Sequence, residues 1–250
     1  MGIEAKISEV IIKRYLEALK EHLLLDVVVV GGGPSGLVCA YYLARGGVKA
    51  AVIESKYSPG GGIWGGGMGF SVAVLQSSLK PLLEEFNIIY EEEEDNLLTV
   101  DAVLLGGCLV ERASRYARVF NGVTCEDIIV KKGKICGVVV NSSAIRTGGF
   151  HIDPLNIESK VVVDATGHDA VVSRLAERHL GKKILPQGPM SAEEGEKFTV
   201  EHTGELVKGL YVCGMAVGAV FGGPRMGPIF GGMLQSGKRC AELILEQLYK

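Results

Sequence analysis

One short segment constrains the fold more than any other. Val27-Val-Val-Val30, introduced by Asp26, is an unbroken apolar run that ends in Gly31-Gly32-Gly33-Pro34-Ser35-Gly36, the pattern Gly-x-Gly-x-x-Gly. A short apolar run without alternation reads as a strand buried on both faces of a parallel sheet. Pro34 to Arg45 then places Leu37, Ala40, Tyr41 and Ala44 at helical spacing, and Gly46-Gly47 ends the helix. Lys49 to Glu54 reads as a second strand, which completes a βαβ unit. Gly31, Gly33 and Gly36 permit the tight turn, a close backbone approach by pyrophosphate, and tight helix–strand packing. The helix N-terminus at Ser35 offers amide donors and the positive end of a dipole. Glu54 ends the second strand, where a carboxylate accepts hydrogen bonds from ribose hydroxyls. The context predicts a dinucleotide site; the alternative is a glycine turn with no ligand.

The remaining chain fills in an α/β architecture. Residues 3–20 carry Ile3, Ile7, Val10, Ile11, Tyr15, Ala18 and Leu19 near helical spacing, with charged residues on the other face. This lead-in helix, within residues 1–22, covers either the core or a neighbouring subunit. Ser58 to Phe70 is mainly glycine, but Ile63, Trp64 and Met68 interrupt it, as in a loop folded against a ligand rather than a flexible tether. Ser71–Phe86 and about Asp101–Val119 read as helices. The acidic run Glu91–Asp95 reads as a solvated strand end or turn. Gly122 to Ile145 reads as strands meeting at a Lys131–Lys134 hairpin. Lys160–Asp164 and Gly209–Cys213 read as further strands, residues 181–208 as polar and irregular, and Gly227–Lys250 as largely a long helix. The fold class is therefore α/β: a Rossmann-type parallel sheet with helices on both faces and an antiparallel insertion at about 120–150, in one dinucleotide-binding domain spanning 1–250.

Composition narrows the partners. Glycine supplies 35 of the 250 residues, about twice the usual share, so backbone turns and close approaches are concentrated in this chain. Lys+Arg is 26 against 29 Asp+Glu, a net charge of −3, which disfavours a nucleic-acid footprint. The six cysteines show no CxxC spacing and read as free thiols of a reducing compartment. No apolar run reaches 18 residues and the N-terminus has no signal-peptide layout, so the expectation is a cytoplasmic protein without a membrane partner.

A second constellation lies outside the glycine fingerprint. His151-Ile152-Asp153-Pro154 follows the hairpin, His168 follows Ala165-Thr166-Gly167, and Arg225 sits in Gly222-Gly-Pro-Arg-Met-Gly-Pro228. Two histidines and a carboxylate suit Fe(II) and leave open positions on it. Equally, Asp153 can cap a turn before Pro154, and His168 can open a helix. Arg225 can clamp a carboxylate bidentately or pair with a surface acid.

The segments Asp26–Leu37 and Val163-Asp-Ala-Thr-Gly167 resemble the glutathione-reductase-like flavoprotein superfamily. That superfamily usually closes its flavin site with a strand ending Gly-Asp, whereas this chain has Gly214-Met215. Met215 removes the polar anchor for a ribityl chain, so FAD is disfavoured and NAD or an ADP-containing derivative is favoured.

Taken together, the fingerprint, Glu54-Ser55, Gly60-Gly-Gly-Ile-Trp-Gly65, His151-Ile-Asp-Pro, Thr166-Gly-His-Asp and Pro224-Arg-Met-Gly-Pro resemble the thiazole synthase family of thiamine biosynthesis, in its archaeal branch. The resemblance spans nearly the whole chain. It implies synthesis of an adenylated thiazole carboxylate from NAD, glycine and a sulfur source: nicotinamide leaves, the ribose is isomerised to a ketone, glycine condenses with it, sulfur enters and the ring closes. Eukaryotic members carry a sulfur-donating cysteine just before the Asp-Pro stretch. His151 stands there instead, which implies the catalytic, Fe(II)-dependent variant that uses free sulfide. By resemblance, Asp153 and His168 are the iron ligands, with Asp153 supplied across a subunit interface of a homo-oligomer, an octamer. Ser35, Glu54, Ser55, Gly62, Val123, His151, Ile152, Asp153 and Met215 would contact the dinucleotide, and Arg225 the glycine carboxylate. His151 would shuttle a proton or line the pocket. Three other readings remain: a flavin-dependent oxidoreductase, a sugar-phosphate isomerase, and a non-catalytic dinucleotide sensor.

Overall fold

The computed structural model describes residues 2–250. In chain order the elements are helix α1 (Ile3–Glu21), strand β1 (Leu24–Val30), α2 (Pro34–Arg45), β2 (Ala50–Glu54), β3 (Val72–Gln76), α3 (Lys80–Glu85), β4 (Glu91–Glu92), β5 (Leu97–Asp101), α4 (Ala102–Tyr116) and β6 (Arg118–Asn121). There follow β7 (Val123–Lys131), β8 (Lys134–Ser142), α5 (Ser143–Gly148), β9 (Leu155–Asp164), α6 (Val171–Leu180), α7 (Ala192–Glu201), β10 (Gly204–Val207), β11 (Leu210–Val212), α8 (Met215–Phe221) and α9 (Gly231–Leu248).

The central sheet runs β10-β11-β9-β1-β2-β6, with every pairing from β11 to β6 parallel and β10 antiparallel at the edge. The valines of β1 show why a continuous apolar run was needed. Val27 and Val29 face a layer built from Cys39, Ala40 and Leu43 of α2 with Cys240, Ala241 and Ile244 of α9. Val28 and Val30 face the opposite layer, built from Ile128, Ile135 and Val138 of the β7–β8 hairpin with Val172, Leu175 and Ala176 of α6. Full burial of such side chains contributes about 1.5–3 kcal/mol each. The predicted insertion is therefore present, and it joins the main sheet: β8 pairs antiparallel with the first half of β9, while β11 pairs parallel with its second half.

Three segments differ from the sequence reading. Residues 71–86, read as one helix, form β3, a short 3-10 turn and α3. In β3 only alternate residues, Ala73 and Leu75, are buried, and β5 pairs along it in a separate three-stranded antiparallel sheet with β4. Pairing with β5 thus overrides the helical reading over residues 72–76, while residues 80–85 form the helix read there. Helix α4 stops at Tyr116, because residues 118–121 pair with β2 as β6. The stretch 181–208, read as irregular, contains α7 and β10. Residues 91–95 are exposed, as read, with β4 at their start.

α1 buries none of its residues fully within the chain; only its C-terminal end reaches the core, where half-buried Leu19 packs against the layer of the hairpin and α6. Tyr15 of α1 and His22, the residue after it, pack their rings edge-on against Phe120 of the sheet. All six cysteines are free; Cys39, Cys125, Cys213 and Cys240 are buried. No helix of the described residues is long and apolar enough to cross a membrane.

The C-terminal end of β9 carries a buried acid. Asp164 is fully buried, and its carboxylate accepts hydrogen bonds from the amide (3.0 Å) and hydroxyl (2.7 Å) of Thr166 and from the amide and hydroxyl (2.7 Å each) of Ser173. Thr166 Oγ1 in turn accepts from the amide of Val171 (2.7 Å). One carboxylate thus ties the end of a strand to the first turn of α6 and fixes the loop between them, which contains His168. Asp164→Ala leaves these buried donors without an acceptor, a penalty of about 1–3 kcal/mol for each group that water cannot reach. Urea denaturation is expected to show a loss of about 3 kcal/mol or more for Asp164→Ala; a loss within about 0.5 kcal/mol would mean the clamp is dispensable.

Candidate active site

The first βα turn is shaped by two glycines that admit no side chain. Gly31 has φ +103°, and a Cβ there would lie 2.4 Å from the carbonyl oxygen of Ala165. A Cβ on Gly36 would lie 2.0 Å from the oxygen of Gly31. The first contact brings the ends of β1 and β9 together, and the second seats α2 on the turn. Glu54 is buried at the end of β2, where Oε2 accepts from the amide of Gly32 (2.7 Å) and Oε1 from the amide of Lys56 (2.7 Å). Backbone donors therefore hold the carboxylate beside the turn, with lone pairs to spare for hydroxyl donors.

The glycine loop after β2 folds against this turn. Gly60 donates its amide to the oxygen of Gly32 (2.7 Å), Ile63 is fully buried, and Trp64 Nε1 donates to Pro59 O (2.9 Å). These anchors account for the aromatic and aliphatic residues set among the glycines.

An open cleft of about 1550 Å³ runs along these loops. It is large enough for a dinucleotide. Of the residues singled out in the sequence, Gly31, Gly33, Ser35, Glu54, Ser55 and Gly62 line it, as do Val123, His168, Met215 and Arg225. Gly36 lies beneath the turn and serves packing. Met215 opens α8 where the flavoprotein pattern has a carboxylate.

His168 lies in a 3-10 turn, Gly167–Asp169, ahead of α6 rather than at its cap. Its Nδ1 is 2.9 Å from Gln187 Oε1. Arg225 is exposed to the cleft, and no ion pair with a described residue engages it. A structural salt bridge is therefore absent, and the guanidinium is available to an anionic ligand.

His151, Ile152 and Asp153 are not brought into this cleft. All three are exposed on the single chain, in the segment between α5 and β9, and the oxygen of Ile152 accepts a hydrogen bond from Asn141 (3.1 Å). No side-chain hydrogen bond from Asp153 caps a turn among the described residues, nor do three His, Cys, Asp or Glu side chains there gather into a metal-holding group.

Sequence reasoning missed several lining residues. Arg146, Arg174 and Arg178 also line the cleft, and they lie on α5 and α6 without any motif to announce them. Cys125 also lines the cleft, but it is a buried thiol whose Sγ points to the oxygen of Asp127 (3.4 Å). Burial, reinforced by the nearby Asp164 charge, pushes its pKa up to about 12. The thiol is therefore protonated throughout the neutral range. Gln187 carried no periodic or motif signal at all.

The chain matches the model of the Thi4 family over residues 8–230. It is 48% identical over 249 residues to a thiamine thiazole synthase of Thermococcus kodakarensis, covering 99% of each chain. A thiamine thiazole synthase of Thermotoga maritima is 50% identical over 244 residues, with 97% of each covered. The crystal structure of Thermovibrio ammonificans THI4 superposes with a TM-score of 0.96 at 44% identity, covering 99% of this chain and 98% of that one. The coverage is nearly complete in both directions, so the comparison extends to the whole fold and not only to the nucleotide turn. The chain belongs to the Thi4 family, the enzymes of thiamine thiazole synthesis.

Proposed function

We propose that this enzyme makes an adenylated thiazole carboxylate from NAD, glycine and free sulfide, with Fe(II) at the site, and that it turns over repeatedly. The observation that carries the reading is that one cleft holds the pyrophosphate turn, the fixed Glu54 carboxylate, an unpaired Arg225 and His168. NAD is the substrate. Gly31 and the N-terminus of α2 hold its pyrophosphate, and Glu54 takes the adenosine ribose hydroxyls. Met215, in place of an acid, disfavours FAD. Arg225 takes the glycine carboxylate through paired N–H donors.

The donor set fits Fe(II) when two copies are counted. His168 supplies an imidazole at the cleft, and the second ligand, Asp153, comes from another copy, since it lies exposed outside the cleft of its own chain. His151 accompanies Asp153, so its proton shuttling or pocket lining is also contributed by the neighbouring copy. The exposed apolar residues of α1, together with Phe150, Ile152 and Leu155 around Asp153, support a homo-oligomer, an octamer in our reading. When bound between these ligands, Fe(II) supplies Lewis acidity toward the nitrogen of the glycine-derived group and a soft position for sulfide.

Free sulfide is the expected sulfur source because the cleft offers no reactive cysteine donor. His151 occupies the stretch before Asp153-Pro154, and the one cysteine lining the cleft, Cys125, is held as a thiol at neutral pH. A thiolate is needed for nucleophilic sulfur chemistry. Nothing in this reading calls for nucleic acid or a membrane, and we place the enzyme in the cytoplasm.

Anaerobic purification followed by acid release, mass spectrometry and metal analysis tests the whole reading. An adenylated thiazole or an NAD-derived ketone together with iron is the expected content, whereas FAD without iron would end the proposal. Arg225→Ala is expected to lower kcat/KM for glycine on the order of a hundredfold, as removal of a charged hydrogen-bonding partner does; unchanged glycine kinetics would show that Arg225 binds something else. Co-assembly of Asp153→Ala with His168→Ala copies should restore activity that neither variant has alone. Failure to complement would place both ligands in one chain.

A further inference from the structure

The side chain that touches His168 comes from the stretch that looked irregular in the sequence. Gln187 Oε1 lies 2.9 Å from His168 Nδ1. The other end of the same amide, Nε2, is buried with no hydrogen-bond partner in the chain. The point where a Cβ on Gly218 would stand is 3.2 Å from Gln187 Nε2 and 3.6 Å from the oxygens of both Gly223 and Pro224. In this structure the amide oxygen faces the ring, and an acceptor beside Nδ1 calls for a proton on Nδ1.

The backbone holds Gln187 in this position. Leu185 donates to the oxygen of Val220 (2.9 Å), Gly188 to Gly223 (2.9 Å), and Ser191 to Arg225 (3.0 Å), while Arg225 donates back to Pro189 (3.0 Å). The segment thus runs as a strap along the loop that carries Arg225. Gly218 in α8 leaves the space that the amide fills.

We propose that Gln187 is a positioning residue of the active site: it fixes His168 as the Nδ1–H tautomer and leaves the Nε2 lone pair free for a ligand bond. A neutral imidazole can donate only one lone pair, so the group that fixes the proton on one nitrogen decides which nitrogen coordinates. Gln187 touches neither substrate nor metal and acts only through His168. The role of that lone pair rests on the reading of His168 as an iron ligand; the tautomer itself does not.

The test uses full-length, metal-free protein with ¹⁵N in the histidine rings, near pH 9, where an imidazole is neutral. The chain has five histidines, and loss of one set of signals in His168→Gln assigns the ring. Two-bond proton–nitrogen spectra are expected to show His168 protonated at Nδ1 in the native chain and in Gln187→Glu, which retains an acceptor. In Gln187→Leu the ring should shift to the Nε2–H form, and in Gly218→Ala, where the added Cβ crowds the amide, to a mixture. Titration with Fe(II) alone under anaerobic conditions should show affinity reduced 10–100-fold in Gln187→Leu and largely restored in Gln187→Glu. A native His168 protonated at Nε2, or a ring spectrum unchanged by Gln187→Leu, would overturn the proposal. The expected tautomer without Fe(II) uptake by the native chain would uphold the role of Gln187 and remove the iron reading.

Discussion

The active site depends on two strand ends lying side by side with no side chain between them. Val30 of β1 and Asp164 of β9 are register partners in the parallel sheet, and the loops leaving them touch where Gly31 meets Ala165. Any Cβ at Gly31 would collide with the main chain there. Because the loops touch, the glycine turn after β1 and the His168 turn open into one cleft instead of two. The parallel sheet supplies this arrangement generally, since ligands bind beyond the carboxyl ends of its strands.

Around that contact the chain uses buried carboxylates as struts. Glu54 and Asp164 are both buried: Glu54 accepts from the amides of Gly32 and Lys56, and Asp164 from the amides and hydroxyls of Thr166 and Ser173. Buried charges persist only when they are fully hydrogen-bonded. In return they fix irregular backbone that has no sheet or helix partner of its own. The two acids serve opposite neighbours: Glu54 braces the glycine turn and lines the cleft, while Asp164 is spent entirely on structure beneath His168. Residue type alone does not separate these roles; the identity of the donors does.

What could be read from the sequence follows from how local each signal is. The βαβ unit, the hairpin at Lys131–Lys134 and the long C-terminal helix are encoded by period, punctuation and glycine, all within a few residues. β3 was misread because its partner, β5, lies more than twenty residues away, and its alternation spans only five positions. For the site, the glycine turn, Glu54, His168 and Arg225 were identified with the cleft they line, the last two as members of motifs. Gln187 and the arginines of α5 and α6 were not, because their places are set by tertiary contact alone. Asp153 and His151 were named from the sequence as well, yet the single chain leaves them at its surface.

The strap from Leu185 to Ser191 gives the site a stability of its own. Its residues 186–191 belong to none of the apolar clusters that hold the sheet, and backbone hydrogen bonds join the strap to the Arg225 loop at three places and to α8 at one. The free energy of opening it is therefore small beside that of unfolding the sheet. A single local opening would release the partner of His168 and the anchor of Arg225 together while the nucleotide turn stayed intact. Loss of competence and loss of fold are thus separable in this chain, and amide exchange along the strap would report the first without the second.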